Sequence, residues 1–124
     1  MSKQAKTIFT YLYRDAGNYK AWGELLLDGV LSSSDVEEIQ SRFEGSEYFI
    51  AEQLGIPTLY QTLWDECESG PSSDDHVWHE FSGFRIASDE DMAILKSWGS
   101  TAKLLRAVTS VTAWDETLSS NWNC

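Results

Sequence analysis

Cations are scarce in this chain. Nine Lys and Arg stand against 20 Asp and Glu, a formal net charge of −11 and an isoelectric point near 4.4. That balance excludes direct nucleic-acid binding, which rests on neutralising phosphates with clustered Lys and Arg. Cysteine is nearly absent: Cys67 and Cys124 are the pair, too few for a disulfide framework and expected to be reduced thiols. No prenylation box can follow a cysteine at the last position. No apolar run approaches the roughly 18 residues of a membrane span, and the basic opening MSKQAK leads into TIFTYLYRD, not into a signal-peptide core. A cytoplasmic protein is the expectation. Two Pro and eight Gly in 124 residues, with 42% hydrophobic and 13% aromatic residues, argue against disorder or low complexity. The length suits one domain over 1–124.

Glycine-rich phosphate loops, HExxH patterns, Ser-His-Asp order signals and Cys-His motifs are missing too. The chain reads as a non-enzyme with no catalytic residue, cofactor or metal. Its six Trp read as packing residues, with sugar or ligand stacking the alternative.

Local patterns give an α+β domain, a small antiparallel sheet with helices packed on one face. TIFTYLYR, residues 7–14, reads as a strand covered on both faces, and AWGELLLDG as a second extended run. Between them DAGNYK offers Gly17 and Asn18 for a hairpin turn. Ser34 and Glu37 fit a capping box opening a helix through Phe43, with Gly45 as its stop. EYFIAEQLGIPTLY reads as a short strand turning into helix, and 65–75 as a loop. HVWHEFSGFRIAS reads as a strand or two, broken at Ser82-Gly83. A second capped helix opens at Ser88 with Met92, Leu95 and Trp98 as its apolar stripe, and a last helix covers 101–113. The tail from about 115 is expected to fray.

YRDAGNYK near the N-terminus, EQLGIP in the middle and DDHVWHEF later together resemble a group of small uncharacterised bacterial proteins. Those share a Tyr-Arg-Asp-x-x-Asn-Tyr-Lys stretch and a later Asp-His-x-Trp-His-Glu-Phe stretch. The likeness covers roughly residues 7–84. It implies a coherent fold and no particular reaction.

Two candidate sites emerge. The acidic residues are concentrated: 35–91 holds 15 of them against Arg42 and Arg85, while each end is about neutral. Such asymmetry steers a basic partner, and Glu37, Glu38, Glu44, Glu66, Glu68, Asp74 and Asp75 are its expected contacts. An acidic, aromatic-rich single domain without catalytic signatures has the profile of an inhibitor of the phage anti-defence or toxin-immunity type. Its partner would be a basic nuclease, toxin or nucleic-acid-binding complex. The alternative is a small-molecule or nucleotide pocket, or an enzyme site, built from Arg14, Asp15, Asn18, Lys20, His76 and His79, with Arg14 pairing Asp15 and Lys20 reaching an anionic group. A metal at the histidines is argued against by strand alternation, which puts His76 and His79 on opposite faces.

Overall fold

The computed structural model describes residues 5–15, 17–66 and 76–119. Within these residues five strands form one open sheet: β1 (Lys6–Arg14), β2 (Lys20–Asp28), β3 (Tyr48–Phe49), β4 (His79–Ile86) and β5 (Ser97–Ser100), in the order β3-β4-β1-β2-β5. All pairings are antiparallel except β2 with β5. Among the described residues five helices accompany it: α1 (Ser33–Arg42), α2 (Ala51–Leu54), α3 (Tyr60–Glu66), α4 (Asp89–Ile94) and α5 (Thr101–Ser110). This is the expected α+β class. Among the described residues no helix is long and apolar enough to cross a membrane.

Strand alternation sorts the central residues. Phe9, Tyr11 and Tyr13 point to one face, with Ala21, Leu25 and Leu27 beside them, and the helical residues Ile39, Leu54, Leu63, Leu104 and Val108 close that core. Phe9, Phe43, Phe49, Phe81 and Phe84 stack or tilt against one another there. The opposite face carries a smaller cluster, Ile8, Leu26 and Ala87, under Met92 and Leu95. Arg85 secures that side by binding both Glu24 on β2 and Asp91 on α4.

Several local expectations shift. Helix α1 is capped by Ser32, whose hydroxyl accepts from the Asp35 amide while Asp35 reaches back to the Ser32 N–H. Ser32-x-x-Asp35 and Ser34-x-x-Glu37 are equivalent capping boxes by composition, and the fold uses the earlier one. The break at Ser82-Gly83 is a bulge within one strand: Thr10 pairs Gly83 and Tyr11 pairs Phe81, leaving Ser82 over. The Ser88 cap is as expected, but its helix ends at Ile94, because Ser97–Ser100 pair with Leu26–Asp28 and carry Trp98 in a strand. The expected fraying from about 115 does not begin within the described residues, which run to Ser119. Residues Glu116–Leu118 form a 3-10 turn, and buried Ser119 donates to Glu52 Oε2 at 2.6 Å and shares a 3.0 Å bond with the Tyr60 hydroxyl.

Candidate functional site

The hairpin stretch comes first. Asp15 and Tyr19 close the β1–β2 turn through a 3.1 Å backbone bond, Asn18 sits at φ +67°, and the Asp15 carboxylate accepts from the Tyr19 amide at 3.0 Å. Arg14 and Asp15 form no ion pair among the described residues, since the Asp15 carboxylate turns back to cap the Tyr19 amide. Arg14 donates instead to Glu80 Oε2 at 2.9 Å and to Asn18 Oδ1 at 2.6 Å. Register explains this: Leu12 opposes Glu80, so Glu80 lies diagonally across from Arg14 on the same face. Lys20 is exposed and opposes Arg14.

Both histidines are built into the frame. His76 precedes β4, and its Nδ1 accepts from the Trp78 amide at 3.0 Å, so Nε2 holds the proton and donates to the Arg14 carbonyl at 2.6 Å. His79 is fully buried, and its Nε2 accepts from the Leu59 amide at 3.0 Å. The expectation of opposite faces fails, because His76 lies outside the strand. The rings of His76 and His79 both pack on Tyr13, with centroids 5.2 and 5.4 Å away. Desolvation pushes His79 down to about 4, against the opposing pull of Glu52.

Loss of Arg14 would leave Glu80, whose side chain is only 11% exposed, without its cation. Arg14→Ala should therefore cost about 1–2 kcal/mol, the half-exposed guanidinium moderating the effect. Thermal denaturation should show a drop of about 4–8 °C; an unchanged melting curve would remove Arg14 from the structural frame.

The acidic surface is the second candidate. Glu37, Glu38, Glu44 and Glu47 are exposed along α1 and the turn into β3. Glu38 binds Arg42 at 2.8 Å, while Glu37, Glu44 and Glu47 have no ion pair among the described residues. Glu66 ends α3. Glu68, Asp74 and Asp75 lie outside the described residues.

A third feature escaped the sequence. Gly45 and Ser46, both near φ +61°, make a tight turn that brings Glu44 opposite Tyr48, through backbone bonds of 2.7 and 2.9 Å. Beside it a depression of about 580 Å³ is lined by Arg42, Phe43, Glu44, Trp78 and Trp114, among others. An adjoining one of about 400 Å³ is lined by Glu44, Tyr48, His76 and Trp78. Trp78 and Trp114 meet edge to face at 6.2 Å, and Trp114 Nε1 donates to the Arg42 carbonyl at 3.1 Å. The high Trp count was the available signal, but four separate segments supply this groove.

Comparison with family models, curated proteins and solved structures returns no match to this chain.

Proposed function

We propose that the protein is a small acidic interaction module, an inhibitor of the phage anti-defence or toxin-immunity type that covers a basic site on a nuclease, toxin or nucleic-acid-binding complex. One observation carries this reading: Glu37, Glu44 and Glu47, within α1 and the turn that follows it, stand exposed with no ion pair among the described residues, and Glu44 lines a groove walled by aromatics. Exposed charge of one sign speeds encounter with an oppositely charged surface, and aromatic side chains supply the contact area that holds it. Three of the groups from which an enzyme site would be drawn already serve the frame. Arg14 holds Glu80 and Asn18, His76 holds the Trp78 amide and the Arg14 carbonyl, and His79 holds the Leu59 amide.

The immobilised protein, used as bait in a lysate of its host, should retain a basic protein, and a variant with Glu37, Glu38, Asp74 and Asp75 each changed to Lys should lose it. Equal retention by the reversed variant, or a co-purifying small anion near Arg14 and Lys20 in place of a protein, would overturn the proposal.

A further inference from the structure

The groove has the composition of a cation receptor. Its smaller depression presents an indole, a phenol, one carboxylate and an imidazole, from Trp78, Tyr48, Glu44 and His76, the last already engaged with the Trp78 amide and the Arg14 carbonyl. The face of an aromatic ring attracts a cation within about 6 Å of its centroid, and Trp does so most strongly. A planar guanidinium can stack on such a ring and still present its N–H fork to a carboxylate, which an ammonium cannot do.

The backbone of each wall is held in place before any partner arrives. Glu44 is fixed opposite Tyr48 by the two backbone bonds of the turn, and Tyr48 is fixed again by its pairing with Glu80. Trp78 is held through its amide by His76 and at its ring by Trp114. Such preorganisation lowers the entropic cost of binding. The exposed carboxylates at the mouth are free: Glu44 and Glu47 have no ion pair among the described residues, whereas the neighbouring cations are neutralised, Arg42 by Glu38 and Arg14, whose carbonyl meets the lining His76, by Glu80. A neutral or anionic occupant would gain nothing from that field, whereas a cation is drawn into it.

From this arrangement we infer that the depression between Glu44, Tyr48 and Trp78 receives an arginine side chain of the basic partner, stacked on Trp78 and paired with the Glu44 carboxylate. The inference rests on the acidic-module reading above and assigns its anchor. The charged flank then sets the rate of encounter, and the groove sets how long the complex lasts.

The test uses fluorescence anisotropy of a labelled Gly-Arg-Gly-Arg-Gly-Arg-Gly peptide, its lysine and citrulline counterparts, and a neutral proline-rich peptide of the same length. The arginine peptide should bind best, the lysine peptide more weakly, and the two neutral peptides not measurably. Trp78→Ala and Glu44→Gln should each weaken arginine-peptide binding about tenfold, while Glu90→Gln, an equal charge change on α4, which lines neither depression and packs over β1 and β2 away from the edge strand β3, should alter it less than twofold. Thermal melts check each variant; if Trp78→Ala is unfolded, Tyr48→Ala at a 38% exposed position carries the same expectation. Equal small losses in Glu44→Gln and Glu90→Gln, with no loss in Trp78→Ala or Tyr48→Ala, would overturn the groove and leave the acidic module standing. Failure of both cationic peptides to bind, or equal binding of a neutral one, would overturn the groove and count against the module as well.

Discussion

Acidification from pH 7 to pH 4 should cost the fold about 3 kcal/mol through one side chain, His79. Its ring is fully buried among Tyr11, Tyr13, Phe49 and Tyr60, with centroid separations of 5.0 to 6.0 Å. Nε2 accepts the Leu59 amide, so in the neutral ring Nδ1 carries the hydrogen, and no partner among the described residues receives it. A second proton would have to enter at Nε2, the position already occupied by the amide, in surroundings that cannot solvate the charge. Burial accordingly lowers the folded value from 6.5 to about 4. Between those two values the unfolded chain binds the proton and the folded one does not, so stability falls as pH drops from about 6.5 and levels off below about 4. Urea titrations at pH 7, 5.5 and 4 should trace that loss. His79→Phe should flatten it and also lower stability at pH 7 by about 1–3 kcal/mol, since the Leu59 amide is left buried without an acceptor. A wild-type stability independent of pH between 7 and 4 would show that His79 is solvated. Asp28, held low by Lys6 and Ser97, and Asp91, held low by Arg85 and Ser88, act further down the scale. They lose their stabilising bonds only as pH falls below the usual carboxylate range.

Raising the salt concentration should slow association with the basic partner about 10- to 100-fold between 0.01 M and 0.5 M, with a much smaller change in dissociation. Exposed charges are screened over roughly 8 Å at physiological ionic strength, so the field of Glu37, Glu44 and Glu47 reaches an approaching protein only at low salt. A desolvated contact inside the groove is screened far less. Stopped-flow or surface-based kinetics separate the two rates. An association rate indifferent to salt would remove the acidic flank from the encounter.

What the sequence disclosed follows how local its signals are. The β1–β2 hairpin was readable because Gly17, Asn18 and the flanking strand formers lie within a few residues of one another, and the Ser88 cap because its acceptor and Asp91 are three apart. The start of α1 was ambiguous, since three consecutive serines offer overlapping boxes and only packing chooses among them. Trp98 misled because its spacing from Leu95 suits a helix, whereas the parallel pairing with β2 that claims it depends on residues some seventy positions earlier. The partner of Arg14 was hidden in the same way: Glu80 becomes its neighbour only through the β1–β4 register. Of the site, the acidic helix face was legible as composition. The groove was not, because Glu44, Tyr48, Trp78 and Trp114 carry no common spacing and meet only where a left-handed turn, a two-residue strand and the chain after α5 converge.

In the proposed reading the acidic residues and the groove cover the partner's basic site, which in a nuclease or nucleic-acid-binding complex is the surface that holds nucleic acid. Displacement of a labelled oligonucleotide from the captured partner measures this directly. The wild-type protein should release the oligonucleotide stoichiometrically, and the variant with Glu37, Glu38 and Glu44 each changed to Lys should fail to do so at the same concentration. A stable ternary complex of protein, partner and oligonucleotide would contradict the account.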